Sequence, residues 1–119
     1  MSDVEFLDIE DLLGLVRRLG VGPVRDLGLL EAACARPRAS VLGVEAYPTV
    51  VEKAAALLQS LATGRPLVDG NKRLGWLAVT VFLDLNSAEV LLDDEDAFSL
   101  VMDVAADRID LAEIIARLR

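Results

Sequence analysis

Ten consecutive residues, Leu74 to Leu83, are apolar except for Gly75 and Thr80. A run of this length is about half of the ~20 residues that span a bilayer, so other parts of the chain must cover it. The neighbouring segments have the helical pattern needed to do so. Apolar residues return at three- and four-residue steps through Ile9, Leu12, Leu13, Val16 and Leu19, and again through Val51, Ala54, Ala55, Leu58 and Leu61. Phe98, Val101, Met102 and Ala105 repeat the pattern nearer the end. Asp8 (with Asp11 three residues on), Asp93 and Asp110 are candidate N-caps, while Gly20 and Gly64 are candidate stops.

These signals predict an all-α domain of about six helices over residues 1–119. An extended piece, Val4 to Leu7, precedes the first helix, and Gly22-Pro23 makes a turn. A second helix runs from about Asp26 to Ala35 and closes at Arg36-Pro37. Arg38 to Ala46 is a loop or small hairpin, and Pro48 suits the first position of the third helix. Residues Arg65 to Gly70 form a loop. A fourth helix, from Asn71 to about Asn86, is expected to be the central buried one. Glu89 to Leu92 is extended, and two helices follow, the last through Leu118.

Composition then narrows the chemistry. Apolar residues make up 54% of the 119 residues and aromatic ones 4%, so the core is aliphatic and the chain can offset its ordering entropy. A net charge of −8 repels a phosphate backbone, which argues against general nucleic-acid binding unless a local basic patch reverses it. With one cysteine, Cys34, no disulfide framework can form, and no basic segment followed by an apolar one opens the chain. A reducing, cytoplasmic compartment is therefore expected. No histidine is present. Ser-His-Asp and Cys-His catalysis and imidazole-ligated zinc are thus excluded, leaving carboxylates, amides, hydroxyls and cations.

The informative stretch is Arg65-Pro66-Leu67-Val68-Asp69-Gly70-Asn71-Lys72-Arg73. Read plainly, Asp69 caps a helix, Gly70 eases the turn, and Lys72 and Arg73 are a solvated face. Yet a helix N-terminus carries about half a positive charge, so two cations in its first turn are unfavourable. Such conflicts concentrate at functional sites. An anion bound by the free backbone N–H groups, the Asn71 amide, Lys72 and Arg73 would remove the conflict, with Gly70 letting it approach. If the anion is a nucleotide polyphosphate, Asp69 is placed to hold Mg²⁺.

This segment resembles the active-site motif of Fic/Doc proteins, roughly His-x-Phe-x-Asp/Glu-Gly/Ala-Asn-Gly/Lys-Arg. Lys72 before Arg73, continuing as Leu74-Gly75-Trp76, is similar to the death-on-curing (Doc) branch. Leu29-Leu30-Glu31-Ala32-Ala33, Arg36-Pro37, Gly43, Tyr47-Pro48, Lys53-Ala54-Ala55 and Phe82-Leu83-Asp84-Leu85-Asn86 follow the same branch in the same order. The resemblance implies a toxin of a bacterial toxin–antitoxin pair. It further implies a kinase that moves the ATP γ-phosphate onto a threonine of translation elongation factor Tu. Other Fic proteins transfer AMP to a target hydroxyl, and a non-catalytic binding module is the remaining alternative. The implied partners are a cognate antitoxin seated in an apolar groove and a protein substrate, with no nucleic acid and no membrane.

Carried over by position, Asp69 organises Mg²⁺, Asn71 and the helix start form the anion hole, Gly70 permits the approach, and Lys72 and Arg73 grip ATP. The 38–46 loop takes the place of the flap that aligns the target, and Leu67 takes the place of the motif Phe. Arg65 occupies the position of the general-base His. A guanidinium has no acceptor and a pKa above ~12, so it cannot take a proton from a hydroxyl. Activity is expected to be low or absent in the chain as it stands.

Other features have bland readings. Cys34 sits among alanines as a small buried hydrophobe, Trp76 is a core residue, and the Tyr47 hydroxyl is bonded at a helix start. Glu31 and Glu52 are solvated. The acidic run Asp93-Asp94-Glu95-Asp96 favours a helix N-terminus and lacks the alternation of a Ca²⁺ loop.

Overall fold

In a computed structural model, which describes residues 3–119, six α-helices surround one aliphatic core. They are α1 (Ile9–Leu19), α2 (Leu27–Ala35), α3 (Val50–Gly64), α4 (Asn71–Leu85), α5 (Asp94–Ala105) and α6 (Leu111–Leu118). A 3₁₀ turn, Arg36–Arg38, follows α2 and leads into a hairpin of β1 (Ser40–Val41) and β2 (Val44–Glu45). The all-α expectation and the small hairpin are both met.

Side-chain caps start most of these helices. Asp8 forms a reciprocal capping box with Asp11, and Asp26, Thr49, Asp93 and Asp110 each accept the backbone N–H three residues on. Each such cap stabilises its helix by about 0.5–2 kcal/mol. Pro48 is displaced from its expected role. Thr49, whose hydroxyl both accepts from the Glu52 N–H and bonds the Glu52 carboxylate, supplies the cap, so Pro48 lies outside the helix.

The centre of the fold is α3 rather than α4. It packs against α2, α4, α5, α6 and the 3₁₀ turn, and its run from Lys53 to Leu58 is buried without interruption. Three consecutive alanines, Ala54 to Ala56, let neighbours approach on several sides, which an apolar count alone does not reveal. Helix α4 buries a single face through Leu74, Ala78, Val79, Phe82 and Leu83. Gly75 lets the pair come close, since a Cβ there would lie 3.2 Å from Leu58 Cδ1.

Lys53 is the one buried charged residue among the described residues, 1% exposed. Its ammonium donates to Glu45 Oε1 at 3.0 Å and to the Tyr47 carbonyl, tying the hairpin base to the start of α3. Arg36 reinforces the tie by donating to the Tyr47 hydroxyl, to the Ala56 carbonyl and to Ser60 Oγ. The hairpin turn, Leu42-Gly43, takes positive φ at both residues, the geometry that matches the twist of a two-residue hairpin. Its tip points into solvent, with Leu42 99% exposed. No described helix is long and apolar enough to cross a membrane.

Candidate active site

The end of α3, the loop 65–70 and the start of α4 enclose a cleft of about 630 Å³. All six residues singled out from the sequence line it: Arg65, Asp69, Gly70, Asn71, Lys72 and Arg73. Arg25, forty residues before Arg65, lines it as well and was not anticipated. Four cations thus face one carboxylate inside a protein whose net charge is −8. That reversal is the local basic patch on which anion binding depends.

The loop is held by its pairing with the stretch between α1 and α2. Val24 and Leu67 form an antiparallel bridge, the Val68 N–H donates to the Pro23 carbonyl at 2.9 Å, and the Gly22 N–H to the Asp69 carbonyl at 3.0 Å. The N–H groups of Arg25 and Asp26 both donate to the Pro66 carbonyl. Leu67, in the place of the motif Phe, is fully buried and anchors the loop in the core. Val68 stays exposed at the rim.

Two motif residues have structural partners of their own. Asn71 Oδ1 accepts from the Leu67 N–H and Asn71 Nδ2 donates to the Leu67 carbonyl, each at 2.9 Å. The side chain therefore staples the loop, leaving one amide hydrogen for any ligand. Gly70 adopts φ 94°, and a Cβ there would lie 2.4 Å from Val21 Cβ. Close packing against Val21, together with the left-handed backbone, is what requires glycine at this position.

Helix α4 begins differently from its neighbours. Gly70 is its N-cap and no side chain caps it, so Asp69 does not play the role of the plain reading. The first-turn N–H groups of Asn71, Lys72 and Arg73 have no acceptor within the helix. Arg73 approaches Asp69 at 3.9 Å, but both side chains are well exposed and such a contact contributes little. Lys72 and Arg65 make no ion pair or side-chain hydrogen bond among the described residues. Uncapped amides and uncommitted cations together suit an oxyanion with several oxygens, such as a phosphate.

Arg65 caps the C-terminus of α3 in a left-handed conformation, φ 53° and ψ 60°. Its carbonyl accepts from Arg25 Nε at 3.0 Å and Nη2 at 2.5 Å, and Arg25 Nη2 also reaches the Gly64 carbonyl at 3.3 Å. The hairpin is remote from this end. It is tied to α3 at Lys53, eleven residues before Gly64, or about 16 Å along the helix axis. The segment that borders the cleft is the one around Arg25, not residues 38–46.

A second, apolar groove of about 430 Å³ runs between α4 and α5. Trp76, Leu77, Phe98, Val101 and Met102 line it, and Lys72 and Arg73 stand where it meets the cleft. Trp76 is accordingly half-buried in a groove wall, and Phe98 is 68% exposed. Glu52, expected to be solvated, is half-buried and its carboxylate accepts from the Thr49 hydroxyl, while Glu31 is exposed as expected. Cys34 is buried, and its burial, with Asp8 adding to it, pushes the thiol up to about 11. The Tyr47 hydroxyl pairs with Arg36 of the 3₁₀ turn. Asp93 to Asp96 cap and line the start of α5, and no cluster of three metal-ligating side chains exists among the described residues.

The chain that builds this cleft has relatives. Residues 5–83 match the family described as Fic/DOC. The chain belongs to that family. It is also 51% identical, over 118 residues covering 96% of this chain and 91% of the relative, to a protein named Toxin Doc from Mycolicibacterium smegmatis (strain ATCC 700084 / mc(2)155).

Proposed function

We propose that this chain is a Doc-type toxin whose cleft binds ATP, with the phosphates against the start of α4. The observation that carries the reading is the uncapped N-terminus of α4, flanked by Lys72 and Arg73, in a Fic/DOC chain. In this reading the N–H groups of Asn71 to Arg73 donate to a phosphoryl oxygen, and Lys72 and Arg73 neutralise the rest of its charge. Asn71 holds the loop in register through Leu67. The exposed Asp69 carboxylate suits Mg²⁺ carried in by the nucleotide, which takes one or two protein carboxylates beside phosphate oxygens. Bound there, the ion would draw charge from the phosphate oxygens.

The reaction is transfer of the ATP γ-phosphate to a threonine hydroxyl of translation elongation factor Tu. The hydroxyl oxygen forms a bond to phosphorus, the bond to the β-phosphate oxygen breaks, and ADP leaves. The hydroxyl proton needs an acceptor. Position 65, at the mouth of the cleft, is where a base would stand, and Arg65 cannot serve. Loss of a general base lowers rates by about 10²–10⁴. The chain therefore binds nucleotide while transferring slowly or not at all.

The apolar groove beside α5 is the proposed seat of an antitoxin segment that folds on binding. Because the groove shares Lys72 and Arg73 with the cleft, an occupant would be sensed at the phosphate site.

The test is Arg65→His with ATP, Mg²⁺ and a bacterial lysate. The reading expects a gain in target labelling and growth arrest, with mass spectrometry showing one added phosphate. Added AMP would instead identify a nucleotidyl transferase. If the variant is inert although ATP still protects it against melting, the base assignment is wrong and a non-catalytic binding module is left.

A further inference from the structure

Four helices in this fold run into a left-handed residue, at Gly20, Arg65, Ser87 and Asp107. Backbone bonds close α1, α4 and α5, and α3 is closed in a different way. At the end of α1 the cap is Gly20, whose N–H donates to the Val16 and Arg17 carbonyls, and the Val21 N–H returns to Val16. That is the usual closure of a helix by its own backbone, with glycine at the left-handed position. At the end of α3 the left-handed residue is Arg65, which has a Cβ, and no backbone bond from its N–H closes the helix among the described residues. A non-glycine residue in this conformation costs of order 1–3 kcal/mol and persists only where its surroundings hold it.

The holding group is Arg25. Its guanidinium lies across the carbonyls of Gly64 and Arg65, and its own N–H bonds the next carbonyl, that of Pro66. One residue thereby satisfies three successive acceptors at the negative end of α3, where a cation is also favoured by the helix dipole. The rigid fork of the guanidinium matters, because a lysine ammonium on a flexible stem cannot span two carbonyls with the same orientation. Direction of entry into the cleft is set at the Cα of residue 65, so the clasp on its carbonyl controls where that side chain arrives.

We propose that Arg25 is a positioning residue of the transfer site, its guanidinium clasping the end of α3 so that the side chain at position 65 enters the cleft from a fixed direction. The inference rests on the reading of position 65 as the base position, and its test separates the two. The sequence contains no histidine, so Arg65→His introduces a single imidazole whose ring signals can be followed by NMR without overlap. Arg25→Met and Arg25→Lys are then made in that background, with ATP as the probe.

With Arg25 in place, the imidazole ring signals are expected away from free-peptide positions. Both substitutions should move them back, Arg25→Lys included, because charge alone does not restore the clasp. In the transfer assay kcat falls about 10–100-fold while KM for ATP stays within twofold, as expected when a reacting group is displaced by about an ångström. Ring signals unmoved by both substitutions would overturn the proposal whether or not Arg65→His is active. So would Arg25→Lys matching Arg25 in both assays. An inert Arg65→His with ring signals that still depend on Arg25 would leave the clasp standing and remove the base assignment.

Discussion

Helices α4 and α5 lie side by side and begin in opposite ways. Helix α5 starts with Asp93 as its cap and has Asp94, Glu95 and Asp96 in its first turn, so both its open N–H groups and its dipole are answered by its own sequence. Helix α4 starts with a glycine that caps nothing and has two cations in its first turn. The first arrangement needs nothing from outside. The second leaves amides open and places positive charge at a positive pole, a cost that an external anion would relieve. Stability is concentrated at one of these ends and function is proposed for the other.

Changing Gly70 should have the largest effect on this contrast. Gly70→Ala places a methyl group inside the Val21 side chain and forces a left-handed alanine, so it should destabilise the protein by about 2–4 kcal/mol, read from urea unfolding. An effect below about 1 kcal/mol would show that the loop can give way and that Val21 does not dictate the glycine. Next, Lys72→Glu makes the start of α4 resemble that of α5. It should raise the stability of the ligand-free protein by about 0.3–1 kcal/mol while weakening ATP binding at least about tenfold. Stability and affinity moving in the same direction would break the comparison. Removing the α5 cap with Asp93→Ala should cost about 1 kcal/mol, or roughly 3–6 °C in melting temperature, and leave ATP affinity unchanged.

The smallest effect concerns acid. Hydrogen bonds from Arg117 and then Arg108 hold the Asp103 carboxyl below its ordinary value of 3.8. A lowered folded-state pKa means the contribution is present above the unfolded value and fades as pH falls through the folded one. Asp103→Asn should therefore reduce stability at neutral pH and flatten the loss of stability below about pH 4. Equal losses at pH 7 and pH 2 would show that the Asp103 contacts between α5 and α6 are not ionic.

Local signals in the sequence carried most of the fold. Asp8, Asp93 and Asp110 act over three residues, so their caps could be read without tertiary information. The importance of α3 could not. Lys53 and Glu52 in its first turns look like a solvated face, and only the hairpin arriving over Lys53 buries it. Asp69 to Arg73 were legible because two cations at a helix start contradict a local rule, whereas Arg65 was marked only by the motif it resembles. Their division of labour was less so. Asn71 serves Leu67, and Gly70 is dictated by Val21, both contacts that depend on the loop's final path. Arg25 was invisible because nothing in its neighbourhood distinguishes an arginine that will bridge to carbonyls forty residues away.

The proposed placement of ATP at the start of α4 is tested most directly by backbone amide NMR. Titrating ATP without metal into the uniformly labelled chain should shift the N–H signals of Asn71, Lys72 and Arg73 first and furthest, while those of Asp94 to Asp96 at the start of α5 stay in place. Saturation that moves the groove along Phe98 and Met102 but leaves residues 71–73 untouched, or no shift at millimolar ATP, would contradict it.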